Sequence, residues 1–420
     1  MIQSIFRQSK AAAFSLIGIT AFCALALGLR AMIGTSASPA VDPQSVAADP
    51  QVRRVAAANT EFGFRVLKRL TTNTPDANVF FSPLSVTSAL TMTLNGAGGA
   101  TARDMASTLG LKPMTLEQIN HANGLLLPSL EDPDPKVKLS VANALWANHG
   151  TKFAPSFQER CRRFYGARTQ TLNFGSPAAA DTINDWVKDK THGKIDQLVT
   201  PPDISAAHGV LTNAVYFHGQ WQHEFEKAAT RDGPFTLAGG GTKTLPMMAQ
   251  EGRYPYLDTA QFQAISLPYG AGRISLYVFL PKAGANLNGF VNGLTAKSWQ
   301  GWVGEMRPTD VAVVLPRFRA DYRATLNQPL IALGMGSAFG PGADFKPMGF
   351  HGSLISAVIH KAVLEVDEEG TVATAATAVV MTKSARPQGR VMRVDHPFFC
   401  AIRDNATGTL LFAGVIRDPK

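Results

Sequence analysis

The residues of this sequence that could perform chemistry form neither a catalytic pattern nor a metal-binding pattern. His218 and His223 lie five positions apart, which does not place them on one face of a helix. The sequence has no CxxC pair or Cys/His spacing of the kind that binds zinc. It also lacks GxSxG, and it lacks SxxK with its partner motifs, which mark two classes of serine hydrolase. A secreted serine hydrolase is therefore the least favoured function class.

The most informative stretch follows Asp367, Glu368 and Glu369. After Gly370, the eleven residues of 371–381 contain no charge, no glycine and no proline. A surface loop normally carries turn residues and charges, so this stretch favours a strand. Strand alternation predicts one face with small side chains first and larger ones last: Thr371, Ala373, Ala375, Thr377, Val379 and Met381. Such a face could enter a packed sheet, although an ordinary central strand or an alanine-rich helix fits the pattern equally well.

The chemistry of the chain changes directly after Met381. The next residues are charged or polar, or are glycine and proline, which predicts an exposed segment open to proteases. They include Lys383, Ser384, Ala385, Arg386 and Arg390.

The helices and strands that must position residues 367–390 are predicted to form an α+β fold. Apolar residues at helical spacing predict a helix over 60–70, and Ser82 followed by Pro83 predicts the start of another. Further helices are predicted over 154–167 and 178–190. Strands are predicted in runs rather than in alternation with helices: 137–147, 210–217, 264–268, 274–280, 311–316, 355–366, 397–403 and 410–415. The turn residues of 404–408 join the last two strands into a buried hairpin.

Composition excludes several classes of protein. The 420 residues are 45% hydrophobic and 17% charged, which argues against intrinsic disorder. The net charge of +9 includes Arg7, Lys10 and Arg30 in an N-terminal region without acidic residues. The densest basic cluster, around Arg160 and Arg168, is interpreted as a solvated helix face. We therefore expect no nucleic-acid partner.

Cys161 lies in a predicted helix and Cys400 in a predicted buried strand. Both are predicted to be free thiols.

The N-terminus has the pattern of an export signal. Basic residues precede the uncharged apolar run of 11–29, and small residues follow it. Residues 1–37 are predicted to be a signal peptide, or a membrane anchor if the run is not cleaved, since 19 residues approach the span of a bilayer. Residues 38–51 are predicted to be a linker and 52–420 a single domain. We expect this domain to lie outside the cytoplasm, secreted, extracellular or periplasmic, and to meet a membrane only through an uncleaved segment.

Several motifs, in order along the chain, resemble those of the serpins, the serine protease inhibitors with a mobile reactive-centre loop. The resemblance covers about residues 52–418. Its motifs are NVFFSPLS at 78–85, NDWV at 184–187, THGKI at 191–195, LTNAVYFHGQW at 211–221, LPRF at 315–318, LGM at 333–335, ADF at 343–345, HKA at 360–362, EEGT at 368–371 and HPFF at 396–399.

The resemblance implies a serpin fold with about nine helices around three β-sheets. It also implies a reactive-centre loop over 370–390. In the family a target serine protease attacks this loop as a substrate, and after acylation the loop inserts into the large sheet as a new strand. The chain would then be an inhibitor and not an enzyme, acting as a monomer without cofactor or metal and with a covalently trapped protease as its partner. The alternative is a non-inhibitory serpin-fold protein that serves in binding or as a chaperone.

The resemblance also assigns roles to individual residues. The hinge of the loop comprises Glu368, Glu369, Gly370, Thr371, Ala373, Ala375 and Ala376. Val372 departs from the family, where an acidic residue is common. The polar cluster beneath the sheet opening, known as the shutter, comprises Ser82, Ser85, Asn213 and His360. Trp221 matches a tryptophan near the top of the sheet.

The scissile bond is less closely specified. Counting forward from Gly370 gives Ser384–Ala385, the bond we predict. Counting back from Pro397 gives Arg386–Pro387 instead, which implies a loop about two residues longer than usual. Lys383–Ser384 would suit a trypsin-like protease, and Val380–Met381 would suit an elastase-like one.

Overall fold

A computed structural model describes residues 42–282, 284–352, 354–371 and 389–420. Within these ranges eleven α-helices are present: α1 Pro43–Ala48, α2 Pro50–Asn73, α3 Pro83–Leu94, α4 Gly99–Thr108, α5 Leu116–Glu131, α6 Pro155–Tyr165, α7 Ala178–Lys190, α8 Pro201–Ile204, α9 Leu287–Gly293, α10 Ala296–Glu305 and α11 Asn327–Leu330. None of them is both long and apolar enough to cross a bilayer.

Fifteen strands lie in the same ranges: β1 Val79–Phe81, β2 Val137–Asn148, β3 Arg168–Leu172, β4 Gly209–Gln220, β5 Arg231–Thr236, β6 Thr242–Asp258, β7 Phe262–Tyr269, β8 Ile274–Pro281, β9 Arg307–Pro316, β10 Phe318–Thr325, β11 Ile355–Val366, β12 Gly370–Thr371, β13 Arg390–Arg393, β14 Phe398–Asp404 and β15 Leu410–Ile416. The α+β prediction is confirmed, and β11 has the predicted bounds.

The described strands form two hydrogen-bonded sheets. The six-stranded sheet has the order β10-β11-β4-β2-β3, with β12 paired to β4. The nine-stranded sheet has the order β1-β15-β14-β8-β7-β6-β9-β13, with β5 paired to β6. The resemblance implies three β-sheets. In the described residues two of these are continuous, because β6 pairs in succession with β5, β9 and β7 and joins their ladders.

Helix α3 lies behind the six-stranded sheet, and all twelve of its residues are buried. Five of the twelve are serine or threonine, and such buried hydroxyls need partners, as where Thr91 and Thr93 donate to carbonyls of the preceding turn. As predicted, Ser82 is its N-cap, with Oγ accepting a hydrogen bond from the Ser85 backbone N–H at 3.1 Å, and Pro83 occupies the first turn. The cap therefore fixes polar serine side chains at the point where the helix meets the sheet.

The other face of the six-stranded sheet packs against α7. Trp186 and Ile183 of this helix belong to a core cluster with Val210 and Ala214 of β4. Leu211 and Val215, the alternate residues of β4, belong to the main core on the opposite side. Strand β4 is thus buried on both faces, which explains its nearly continuous apolar sequence.

The predicted linker over 38–51 is wrong where the structure describes it, because two helices begin there. Asp42 and Asp49 each accept backbone hydrogen bonds from the first turn of a helix, and Pro43 and Pro50 are the first helical residues. Asp-Pro pairs therefore serve here as helix starts and not as loop residues.

Two predictions about the C-terminal part and the thiols are confirmed. Strands β14 and β15 form an antiparallel hairpin inside the nine-stranded sheet, between β8 and β1. Cys161 in α6 and Cys400 in β14 are both free and buried. Burial raises the pKa of Cys161 to about 12 and raises the pKa of Cys400 as well, so both remain protonated and unreactive.

Gly414 of β15 offers a test of this packing. A Cβ at this position would lie 2.3 Å from the carbonyl oxygen of Val79 in β1, which is backbone and cannot rotate away. We expect Gly414→Ala to lower the free energy of unfolding by about 3 kcal/mol, measured by urea denaturation.

The matched control is Gly301→Ala in α10, where nothing lies within 4 Å of the added Cβ. This variant should be unchanged or up to about 1 kcal/mol more stable, because alanine favours a helix interior. Equal stabilities of the two variants would contradict the close approach of β15 to β1.

Candidate functional site

The centre of the six-stranded sheet contains a parallel pair, β4 and β11, between antiparallel neighbours. The two strands pair from Ile355 with Gly209 to Val363 with Tyr216, where the register ends. Beyond it, β12 pairs antiparallel with the end of β4, with Gly370 opposite Gln220 and Thr371 opposite Gly219. A short strand thus already occupies the mouth between the two parallel strands. We call the β4–β11 junction the seam.

A polar cluster lies under the seam, and the structure brings all four predicted shutter residues into it. His360 on β11 is opposite Asn213 on β4, which is opposite Asn143 on β2. Ser82, Ser85 and Ser88 meet this row from the side of α3. Asn143 and Ser88 were not predicted. The only signal for Asn143 was an asparagine in the middle of the apolar run of 141–147.

The hydrogen bonds of this cluster run in one consistent direction. The backbone N–H of Ser82 donates to His360 Nε2 at 3.3 Å, so Nδ1 carries the proton and donates to Asn213 Oδ1. The Asn213 amide donates to both Ser85 Oγ and Asn143 Oδ1. Asn143 Nδ2 donates to Ser88 Oγ at 2.7 Å. The chain of donors therefore links β11, β4, β2 and α3.

His360 is neutral in this arrangement. It is fully buried, with Phe81 edge-on at 6.3 Å between ring centroids, and desolvation lowers its pKa from 6.5 to about 3. A proton added to Nε2 of His360 would face the backbone N–H of Ser82, which already donates to this atom. Since Nε2 is already occupied and solvent is excluded, His360 cannot act as a general base for a neighbouring serine.

A second cluster holds the segment that leads from β11 to β12. The indole Nε1 of Trp221 donates to the carbonyl of Asp367 at 2.8 Å, and the Trp221 backbone N–H donates to the carbonyl of Glu369 at 3.0 Å. The indole stacks on Tyr269 with centroids 4.3 Å apart. The predicted top-of-sheet tryptophan is thus a direct clamp on the hinge.

Glu368 is buried beside this clamp. Its carboxylate is 2% exposed and accepts hydrogen bonds from Arg317 Nη2 at 2.6 Å and Thr230 Oγ1 at 2.7 Å. Burial alone would raise the pKa of Glu368, but these two hydrogen bonds, a backbone hydrogen bond and the charge of Arg317 together hold the pKa below its ordinary value. Glu369 forms an ion pair with Lys227. Burial and the two neighbouring glutamates raise the pKa of Asp367.

Gly370 and Thr371 start the strand that faces the seam. Gly370 has φ of +149°, and a Cβ there would lie 2.1 Å from the carbonyl oxygen of Gly219. Only glycine fits this approach to β4. Thr371 is fully buried, with its Oγ1 2.9 Å from the hydroxyl of Tyr269. The remaining predicted hinge and cleavage residues lie outside the described residues: Ala373, Ala375, Ala376, Met381, Lys383, Ser384, Ala385 and Arg386.

Within the described ranges, no three His, Cys, Asp or Glu side chains are grouped so that they could hold a metal ion. The expectation of no metal, cofactor or nucleic-acid partner remains a prediction. The geometry is that of two strands held together by a polar cluster, with a third strand anchored at their mouth.

Comparison with known proteins gives a consistent result. The family model described as Serpin (serine protease inhibitor) matches residues 57–419. Iripin-2 of Ixodes ricinus is 34% identical over 370 residues, which cover 86% of this chain and 93% of that protein. The leukocyte elastase inhibitor of Sus scrofa is 34% identical over 88% of this chain and all of that protein. Among solved structures, human thyroxine-binding globulin complexed with thyroxine superposes with a TM-score of 0.82 at 27% identity, covering 88% of this chain and all of that one.

His360 should give the protein a distinct dependence on pH. Its pKa is about 3 in the folded state against about 6.5 in the unfolded state, so between these values only the unfolded chain binds the proton. The free energy of unfolding should therefore fall as the pH drops from about 6.5 towards 3, by up to about 1.4 kcal/mol per pH unit from this group. In His360→Gln the curve measured by urea denaturation should be flatter over that range.

The surface residue His149 supplies the control, because its side chain is exposed. His149→Gln should reproduce the slope of the unaltered protein. A His360→Gln curve parallel to that of the unaltered protein would show that His360 is not held neutral.

The Arg317–Glu368 pair should respond asymmetrically to substitution. Arg317→Met leaves a buried carboxylate without its cation and should cost about 3 kcal/mol of unfolding free energy. Glu368→Gln leaves a guanidinium whose side chain is 49% exposed and can turn to water, so about 1 kcal/mol is expected. Arg319→Met, similarly exposed but in surface ion pairs, should change stability by less than about 1 kcal/mol. A larger loss in Glu368→Gln than in Arg317→Met would refute this account.

Proposed function

The chain belongs to the serpin family, and from this premise we propose that it is an exported inhibitor that traps serine proteases as acyl-enzymes. The target would cleave the loop after β12, and the freed segment would then enter the seam between β4 and β11. The observation that carries the proposal is the antiparallel pairing of Gly370 and Thr371 with the end of β4. Inhibitory relatives such as leukocyte elastase inhibitor support the same function.

The length of the uncharged segment supports insertion along the whole of β4. In the register set by Gly370 opposite Gln220, each following residue would pair with the preceding residue of β4. Met381 would then meet Gly209, the first residue of this twelve-residue strand. The positions from Gly370 to Thr382 carry no charge, so the uncharged part of the chain is as long as the strand it would join.

The same register distributes side chains suitably between the two faces. Thr377 would lie opposite Asn213 and bring a hydroxyl to the polar cluster. Ala373 and Ala375 would share the face of Phe217 and Val215, where the main core has little room. Val372 would lie opposite the half-buried His218, so the departure from the family at this position leaves the inner face unchanged.

Cleavage is needed because the loop is fixed at both ends. Its N-terminal end is held by β12 in the six-stranded sheet, and its C-terminal end by β13, paired with β9 in the nine-stranded sheet. A strand of twelve residues spans about 40 Å, so an uncut chain would have to run the length of β4 and still return to β13. Once the bond is cut, the N-terminal product remains attached only to the hinge.

The chemistry belongs to the protease. Its serine Oγ attacks the carbonyl carbon of the scissile bond, forming an ester to the N-terminal part of the loop. The C–N bond breaks, and the C-terminal part leaves with a free amino group. Insertion then carries the ester away from the hinge before water can hydrolyse it. Antiparallel ladders on both sides of the new strand would replace the single parallel ladder of the seam, so the uncut form is kinetically trapped.

The register also bears on the choice of bond. After a cut at Val380–Met381 the inserted strand would end at Val380, so Gly209 at the start of β4 would have no partner. Cuts after Thr382 leave the whole uncharged segment available for pairing. We therefore retain Ser384–Ala385 as the proposed bond, with Lys383–Ser384 and Arg386–Pro387 as rivals.

Export is proposed from the N-terminal sequence. Arg7 and Lys10 precede the apolar run of 11–29, and small residues follow, as in signal peptides. This region lies outside the described residues. We place the serpin domain outside the cytoplasm, with membrane attachment only if the segment stays uncleaved.

Incubation with trypsin, elastase and subtilisin tests the function. We expect a complex that survives SDS and heating, together with a released C-terminal peptide whose first residue identifies the bond by mass spectrometry. Cleavage by all three proteases without any stable complex would contradict inhibition by trapping and favour the non-inhibitory alternative.

Ala375→Arg tests insertion itself. In the proposed register its guanidinium would have to lie on the face of Val215 in the main core, so the variant should be cleaved normally but form at least tenfold less complex. Ala375→Ser adds only a small group and should retain inhibition. Undiminished complex formation by Ala375→Arg would rule out the insertion described here.

A further inference from the structure

Strand β13, which holds the C-terminal end of the loop, has little backbone support. Among the described strands it pairs with β9 alone, through the residues of Arg390–Arg393. The Val394 N–H adds one more bond to this ladder and donates to the carbonyl of Val314 at 2.8 Å. An edge strand this short has low local stability, so side-chain contacts at its two ends decide how firmly it is held.

The first end of β13 is tied by side chains of fixed charge. Arg390 Nη1 lies 2.7 Å from Asp258 Oδ2, and Lys282 Nζ lies 2.7 Å from Oδ1 of the same carboxylate. Gln263 Nε2 also donates to the carbonyl of Val391 at 3.2 Å. Arginine, lysine and aspartate do not ordinarily change charge between about pH 6 and pH 9, so this tie is insensitive to pH there.

The segment after β13 is tied by a histidine that lies between two acceptors. His396 Nε2 is 2.7 Å from the carbonyl oxygen of Pro281, the last residue of β8, and Nδ1 is 2.9 Å from Asp395 Oδ1. A carbonyl oxygen and a carboxylate can only accept hydrogen bonds. Both contacts are therefore hydrogen bonds at the same time only when both ring nitrogens carry protons, which makes the ring an imidazolium.

The charged groups around His396 suit that form. Its side chain is 30% exposed, and Asp395 is the charged side chain of the described residues that pairs with it. Arg393 Nε lies 3.7 Å from the other oxygen of Asp395. Of the elements packed against this segment, β8 is followed by Lys282, whose ammonium is already paired, and β5 contributes the backbone N–H of Thr236, which donates to the Asp395 carbonyl at 2.7 Å.

We propose that His396 is a proton-dependent latch on β13. As an imidazolium it fastens the segment after β13 to the end of β8. Loss of the Nδ1 proton sets a lone pair against the Asp395 carboxylate, so the two groups separate and β13 loosens. Histidine ordinarily changes charge between about pH 5 and pH 8, so the latch opens as the medium becomes alkaline. This inference goes beyond the proposed function, because it concerns the strand itself and requires no protease.

Hydrogen–deuterium exchange of the intact protein, followed by mass spectrometry, tests the latch. The backbone amides of β13 should lose about tenfold in protection between about pH 6 and pH 9, after correction for the faster chemical exchange in alkali. Strand β3 is an edge strand of the other sheet, contains no histidine and should keep its protection. Equal changes in β13 and β3, or no change in β13, would overturn the proposal.

Two substitutions should change the latch in opposite directions. His396→Gln can donate to Pro281 but carries no charge, so its β13 should exchange at about pH 6 as fast as that of the unaltered protein does at about pH 9. Asp395→Asn offers an amide donor to the neutral ring, so Nε2 keeps its proton for Pro281 and β13 should stay protected up to about pH 9.

His149→Gln is the matched control for these variants, because His149 is an exposed histidine. It should reproduce the exchange of the unaltered protein at each pH. Slow exchange of β13 in His396→Gln at about pH 6, or a pH dependence retained in Asp395→Asn, would contradict the latch. Unchanged protection of β3 in each variant shows that the fold is intact.

Discussion

The rest of this structure depends on the contact between β4 and β11. Besides the backbone pairing of these strands, a side-chain hydrogen bond from Nδ1 of His360 to Oδ1 of Asn213 crosses the seam. It joins the two central parallel strands and continues through Asn143 and the serines of α3. Because every member is buried, the cluster is satisfied only while the strands stay in register. Parting the two strands would therefore leave several buried polar groups unpaired at once, and each of them is costly to leave unpaired.

The hinge lies at the end of the same seam and is fixed by different interactions. Trp221 holds the backbone on either side of Glu368, and Arg317 neutralises the buried carboxylate. Gly370 then brings the chain so close to Gly219 that no side chain fits between them. These contacts define the direction and register of any strand that continues from Thr371. The contacts of Trp221 at the end of the seam and the polar cluster beneath it therefore both hold β4 close to β11.

The sequence predicted the apolar elements well, because buried strands and amphipathic helices have recognisable runs and spacings of apolar residues. β11 has the predicted bounds, β2 extends the predicted run by one residue, and β4 extends it by four. Strand β6 and its partner β5 were missed because their pairing depends on hydrogen bonds to distant strands and not on a continuous apolar run. In the site, family motifs pointed to His360 and Asn213. The contact of Trp221 with Asp367 could not be predicted, since it joins segments 146 positions apart through a backbone carbonyl.

The position of the C-terminal hairpin has a consequence for the order in which the molecule can form. β15 lies between β14 and β1, so a strand near the end of the chain completes a ladder with one near its beginning. The side chain of Asn78 reaches the backbone of Asp418, 340 positions later. The nine-stranded sheet therefore cannot be completed until β15 has left the ribosome. Long-range pairing of this kind is slow to form, because the ends must meet before the contacts stabilise them. A nascent chain that still lacks β15 leaves β1 and β14 without the strand that lies between them.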